Sequence, residues 1–495
     1  MEETIIVKIN DASFEYDVRS LLRAFFPGAD VEFLGENEGQ EENNAAADLM
    51  IRLSDGSISQ IWRGGEEQTA SIAGLERAAV KNLLKCLIYD TLSADTGRLL
   101  PWGTLTGIRP TKLVLKKIRE GAPVAEIHAF MRKNYRTSPE KVNLAYRIAQ
   151  KEHRIIQSFS DDNTYSLYIG IPFCPSICLY CSFSSYPIGV YHEKTDVYLE
   201  ALFREIDFVA EAFAGRSLAT IYIGGGTPTS LSAEQLGRLL TKIRDTLDLS
   251  ELREWTVEAG RPDSISEEKL AAIMGAREAV WIMNRQFPGI RISINPQTFQ
   301  QATLEKIGRQ HSTEDVERAF VLAREMGFGC INMDLIVGLP GETETEVADT
   351  LERVRALSPD NLTVHSLALK RASRLREELE QYADDAFRQS EQIMNLVHKA
   401  AAEMDMQPYY LYRQKDIAGN LENVGFAPEG KEGLYNILIM EEVQDIVALG
   451  AGAISKRVCG TAKPGRAANV KDVDQYIARI GEMLDRKREL FSLDK

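Results

Sequence analysis

"TYSLYIGIPFCPSICLYCSF" (164–183) runs an apolar, aromatic segment straight into a burst of cysteine. Its first half reads as a strand that ends near Pro172. Its second half places Cys174, Cys178 and Cys181 within eight positions, in a chain of 495 residues with only six cysteines. Three explanations compete. Packing would treat the thiols as small hydrophobes, but clustering on a loop argues against it. Zinc prefers four ligands in paired C-x2-C knuckles; here Cys178 and Cys181 make one pair, and no second pair or His-x3-His follows. An iron–sulfur cubane fits better, because three local thiolates leave one iron open for a reactant. A distant fourth ligand is left open by the sequence. Cys86, Cys330 and Cys459 are scattered and read as packing residues.

Working outward, the same rhythm continues. "DVYLEALFREIDFVAEAF", "LATIYIGGG", "AEQLGRLLTKIRDTL", "EWTVEAG", "RISINPQTF", "EDVERAFVLAREMG", "CINMDLIVGLP", "TEVADTLERVRAL" and "NLTVHSLALK" alternate helix and strand. Six apolar strands alternating with helices predict a parallel sheet of βαβ units, doubly wound or a partial barrel. In either form the ligand site lies at the C-terminal strand ends, where the cysteines fall. Upstream, 1–99 reads as a small α/β domain, with a hairpin around Asp55-Gly56 inside "ADLMIRLSDGSISQIWRG". The segment 100–160 reads as a helical connector containing "LTGIRPTKL" (105–113), a Pro-initiated helix start that could also offer Arg109 and Lys112 to an anion. The core is expected at 161–375 and a helical accessory region at 376–495.

Composition bounds the partners. The net charge of −15 speaks against nucleic acid. No apolar run approaches the roughly 18 residues of a membrane span. The N-terminus lacks a basic stretch before an apolar core, so cytoplasm is the expected location. A monomer is the expected state.

The motifs "CPSICLYC" and "GGGTPT" resemble the radical S-adenosylmethionine (SAM) enzymes. "YIGIPFC", "IYIGGGTPTSL", "INPQTF", "NMDLIVGLPGET" and "ALGAGAISK", in that order, narrow the resemblance to the oxygen-independent coproporphyrinogen III oxidase (dehydrogenase) group. The N-terminal part is similar to its longer branch. The resemblance covers about 164–456. It implies an α/β fold built on a partial (β/α)6 radical SAM barrel, with the small N-terminal domain and helical C-terminal elements. It also implies a [4Fe-4S] cluster on Cys174, Cys178 and Cys181, with SAM on the open iron. Tyr168, Tyr180, Gly225, Gly226, Thr227 and Glu258 match the family's positions around that SAM. Gln297, Arg309, Asp334, Ala368 and Ile454 match positions for a second SAM. The implied partners are a tetrapyrrole and an external electron donor of flavodoxin or ferredoxin type. The implied reaction turns two propionates of coproporphyrinogen III into vinyl groups. Arg261, Arg291, Arg413, Lys415 and Arg109 are candidates to meet the substrate's carboxylates.

Two positions depart from the pattern. Phe183 stands where the dehydrogenases carry a further Cys, and Gly170 stands where they carry His. Three activities therefore stay in view: coproporphyrinogen dehydrogenase, haem-binding chaperone, and an enzyme that methylates or opens haem.

Overall fold

The computed structural model describes residues 4–34, 47–107, 109–159, 163–368, 374–377, 391–413, 421–458 and 464–491. Lys415 and Cys459 lie outside the described residues. Two compact units emerge: 1–150 with 389–391 and 411–423, and the remainder of the chain.

The first unit carries a five-stranded sheet. Its strands are β1 (Thr4–Ile9), β2 (Asp30–Leu34), β3 (Leu49–Ser54), β4 (Ser57–Trp62) and β5 (Gln68–Ser71), in the order β2-β1-β3-β4-β5. The hairpin expected around Asp55-Gly56 is β3–β4, paired from Leu49↔Trp62 to Ser54↔Ser57. Helices Glu15–Phe25 and Arg77–Thr96 contribute Leu21, Leu22, Phe25, Leu84 and Ile88 to its core. "LTGIRPTKL" does start a helix, Thr111–Arg119. A buried charge anchors this unit: Glu422 accepts from Trp102 Nε1 at 2.7 Å and from Lys141 Nζ at 2.6 Å.

The second unit contains β6 (Thr164–Ile171), β7 (Phe173–Cys174), β8 (Tyr186–Pro187), β9 (Ser217–Gly225), β10 (Glu254–Glu258), β11 (Ile290–Ser293), β12 (Ile331–Val337) and β13 (Asn361–Ser366). Further on come β14 (Gln407–Tyr412), β15 (Asn423–Ala427), β16 (Asp445–Leu449), β17 (Ile454–Arg457) and β18 (Gly465–Ala468). β6 and β9 to β13 lie side by side in chain order, every pair parallel, as the alternation predicts. Three of the intervening helices begin with capping boxes, at Ser232/Gln235, Ser312/Asp315 and Thr343/Glu346. Each such cap is worth roughly 1 kcal/mol and fixes where the strand-to-helix loop ends. The full sheet has eleven strands in the order β14-β15-β13-β12-β11-β10-β9-β6-β16-β17-β18. It is open, a partial barrel. The C-terminal region is thus more than helical: β15 adds antiparallel to β13, and β16 adds parallel to β6.

The strands are not apolar on both faces. Ile221, Ile223, Trp255, Val257, Ile292, Met333, Leu362 and Val364 form a buried apolar series. The residues between them are polar, and register lines them into rows. Tyr168, Tyr222, Thr256 and Arg291 make one row; Glu258, Ser293, Asn332 and Asn361 make the next. A period of two places the whole polar set on one face.

Candidate functional site

The cysteine loop leaves the end of β6. Cys174 sits on β7, which pairs with β8 through Phe173↔Tyr186 and Cys174↔Pro187. The glycine turn after β9 is stitched to this segment. The Gly226 amide donates to the Ile171 carbonyl at 2.8 Å, and the Thr227 amide to the Phe173 carbonyl at 2.7 Å. Gly225 has φ +111°, and a Cβ on Gly226 would lie 2.8 Å from Cys174 Sγ. These glycines therefore admit the cysteine strand itself. Thr227 Oγ1 donates to Cys174 Sγ at 3.6 Å. Burial pushes the Cys174 thiol up to about 11, partly offset by that hydroxyl. A metal that ligates it must displace a proton.

Nor is the loop loose. The Leu179 amide donates to the Ile307 carbonyl and the Leu375 amide to the Leu179 carbonyl, both at 3.0 Å. The Leu179 side chain packs with Leu304, Ile307, Ile336 and Leu339. Tyr180 receives Arg309 Nη2 on its hydroxyl at 3.2 Å. Among the described residues, no three His, Cys, Asp or Glu side chains stand close enough to share one metal ion. A cubane asks something different, one thiolate at each of three irons.

Beside the loop lies the polar face. Glu258 accepts from the Tyr222 hydroxyl and, at 3.0 Å, from Asn295 Nδ2. Ser293 Oγ donates to Asn295 Oδ1 at 2.6 Å, and Asn332 Nδ2 reaches both Ser293 Oγ and Asp334 Oδ1 at 2.7 Å. His365 Nε2 lies 3.6 Å from Asp334 Oδ2. Gln297 bridges to the same strand: its amide donates to the Asp334 carbonyl at 3.0 Å, and its carbonyl accepts from Ile336 at 2.9 Å. Tyr168, Tyr222 and Tyr435 stack nearby, the last two with ring centres 4.7 Å apart. Gln297, Glu258, Asp334, Tyr168 and the glycine turn are thus gathered on one side of the sheet.

Two buried groups are poised for a ligand. Gln297 holds φ +70°, rare outside glycine, and its Oε1 is buried without a partner. Arg309 Nε is likewise buried without one. Strain of this kind costs about 1–3 kcal/mol and clusters at functional sites. These orphaned atoms, with three thiols on an anchored loop, fit the cluster and SAM that the motifs imply.

Other expectations shift. Ala368 is buried after β13, whereas Ile454 opens β17 and is 47% exposed. Arg291 is buried, donating to the Asn361 side chain and to the Lys431 and Glu432 carbonyls. Arg413 is buried against the Leu421 and Leu105 carbonyls, and burial pulls its pKa down to about 10. Arg261 is bound to the cysteine loop and Asp263. These three hold the fold rather than offering free cations. The polar face formed by Tyr222, Thr256, Ser293 and Asn332, with Asn295 just past β11, is carried by the alternation in "EWTVE" and "RISIN".

Glu258 gives a measurable signature. Burial, then the charge of Asp334, pushes its carboxyl up to about 7 from 4.5. Its folded pKa exceeds its unfolded one, so the associated stability is full below about 4.5 and lost as pH rises through 7. The apoprotein should lose on the order of 2 kcal/mol from this group between pH 5 and pH 8. Glu258→Gln should flatten that part of the pH profile in denaturant unfolding. Identical pH slopes for the two proteins would refute it.

An open parallel α/β barrel with three cysteines after its first strand is the arrangement of a radical SAM protein, and the model of the radical SAM superfamily matches residues 168–354. The oxygen-independent coproporphyrinogen-III oxidase-like protein HemZ of Bacillus subtilis is 40% identical over 413 residues, 82% of this chain and 80% of that protein. The heme chaperone HemW of the same organism is 34% identical over 322 residues, 64% of this chain and 76% of that protein. Among solved structures, coproporphyrinogen III oxidase HemN from Escherichia coli, a radical SAM enzyme, superposes with a TM-score of 0.51 at 25% identity, covering 67% of this chain and 73% of that one. The chain belongs to the oxygen-independent coproporphyrinogen III oxidase-like family of the radical SAM superfamily. Membership implies a [4Fe-4S] cluster and SAM. Among the described residues no helix is long and apolar enough to cross a membrane.

Proposed function

We propose that the protein is a radical SAM oxidoreductase that converts two propionates of coproporphyrinogen III to vinyl groups, giving protoporphyrinogen IX. The observation that carries this reading is the reach of the likeness to HemZ. It spans 82% of the chain, well beyond the radical SAM region at 168–354. Each propionate loses a hydrogen atom, carbon dioxide and one electron, the last to an external one-electron acceptor.

Cys174, Cys178 and Cys181 hold the cluster. With SAM bound there, the group would supply the one-electron chemistry needed to remove a hydrogen atom from an unactivated carbon. The chain's own side chains orient what binds. Glu258, fixed by Tyr222 and Asn295, faces ribose hydroxyls or the SAM amino group. Tyr168 and Tyr180 bound the adenosyl region, and Gly225, Gly226 and Thr227 set the turn beneath it. The stacked tyrosines exclude water from one side. Gln297, Arg309 and Asp334, with Ala368 and Ile454, receive a second SAM. The strained Gln297 and the unpartnered Oε1 and Nε support that assignment. The protein works as a cytoplasmic monomer with a flavodoxin- or ferredoxin-type electron donor.

A haem-chaperone reading has its own support. Phe183 replaces the dehydrogenases' further Cys and is 69% exposed. The test is one anaerobic assay with the reconstituted protein, dithionite, SAM and coproporphyrinogen III, followed by mass spectrometry. The expected result is sequential loss of two carboxyl groups, abolished by Cys174→Ala. SAM cleavage without decarboxylation overturns the reading. Stable binding of added haem would then favour the chaperone, and consumption of haem an enzyme acting on haem itself.

A further inference from the structure

The cysteine loop is gripped from one side by a guanidinium, that of Arg261, which is not among the residues matched to SAM. Arg261 lies three residues beyond Glu258 and is 3% exposed. Its Nη1 donates to Cys178 Sγ at 3.5 Å, to Ser176 Oγ at 3.1 Å and to the Ser176 carbonyl at 3.3 Å. The rest of the fork is occupied elsewhere. Nε and Nη2 donate to the two oxygens of Asp263 at 3.0 and 2.8 Å. Behind Asp263 stands buried His311, its Nδ1 3.8 Å from Asp263 Oδ1. A guanidinium held by two parallel bonds has one orientation. Here that orientation aims the free edge at the middle cysteine.

We propose that Arg261, held by the paired bonds of Asp263, is a positioning residue for Cys178, presenting a fixed N–H to the sulfur that ligates iron. This rests on the cluster reading of the loop. A thiolate on iron carries negative charge, and an added electron increases it. A fixed donor at the sulfur therefore favours the reduced cluster and raises its potential. Lysine would not substitute: it offers a point charge and lacks the fork that Asp263 holds.

The experiment compares anaerobically reconstituted wild type, Arg261→Gln, Arg261→Lys and Asp263→Asn. Iron content, the rate of iron loss to a chelator, and the midpoint potential by redox titration with electron paramagnetic resonance are read on each. Arg261→Gln should lose iron roughly 10-fold faster and shift to a more negative potential. Arg261→Lys should not restore that potential. Asp263→Asn keeps the guanidinium but loosens it, so it should shift the potential in the same direction by less. It also serves if Arg261→Gln fails to fold. Normal iron content with equal potentials overturns the clamp alone. Failure of the wild type to bind iron, or binding that survives Cys174→Ala, overturns the cluster reading and the clamp with it.

Discussion

Gly226→Ala is expected to deprive the protein of its cluster while leaving most of the fold intact. The added Cβ would sit 2.7 Å from the Phe173 carbonyl oxygen and 2.8 Å from Cys174 Sγ, closer than real contacts allow. The Phe173 carbonyl is backbone and cannot swing away, and the Cys174 sulfur can do so only by turning the thiol out of its place. Phe173 is tied through the Thr227 amide, and Gly226 is itself tied to Ile171. Relief requires breaking one of these bonds or lifting β7 off the turn. Each buried backbone group left unpaired costs about 1–3 kcal/mol, so the fold tolerates the change better than the thiol geometry does. Iron retained after reconstitution should fall by roughly 10-fold or more, with circular dichroism near that of the parent. Full iron content would show that β7 can rise without cost, and would sink the idea.

The second large effect concerns stability. Glu205 is fully buried, and Lys487, 1% exposed, donates to its Oε1 at 2.6 Å. Asn469 Nδ2 at 2.9 Å, the Gly450 amide at 2.7 Å and the Tyr476 hydroxyl complete the carboxylate's partners. The cluster ties helix Thr195–Ala212 to the C-terminal helix Ile480–Phe491 and to the turn after β16. Lys487→Met strands a buried carboxylate and should destabilise the apoprotein by about 3–5 kcal/mol. Adding Glu205→Gln should recover part of that loss, since the remaining group is then neutral. Chemical denaturation checks both. A change under ~1 kcal/mol in the single variant would mean that water reaches Glu205 and screens it.

Much of the core was legible because its signals are local. Six strands alternating with helices, a Gly-rich turn and three close cysteines each announce themselves within a few residues. Other features depend on contacts between distant segments. Arg261, Asp263 and His311 converge across some fifty positions, with no pattern in the intervening sequence. Arg291 and Arg413 looked like surface cations because composition does not report burial. Of the strands after residue 406, β15 and β16 were unreadable as sheet members, because their partners β13 and β6 lie far back in the chain. The polar rows were legible in principle. "EWTVE" and "NLTVH" alternate strictly, whereas parallel strands covered on both faces read as continuous apolar runs. Polar residues at every second position mark a sheet one face of which meets something other than a hydrocarbon core.

The glycine turn is stitched to the cysteine segment by two main-chain bonds, Gly226 to Ile171 and Thr227 to Phe173, and neither of them draws on a thiol. Bonds of that kind call on no metal, so chain folding and metal uptake are expected to be separable events. Metal delivery becomes a late step, separable from synthesis. A cluster lost from such a site would be expected to leave the backbone seat in place, so that repair would call for fresh iron and sulfide and not a new chain.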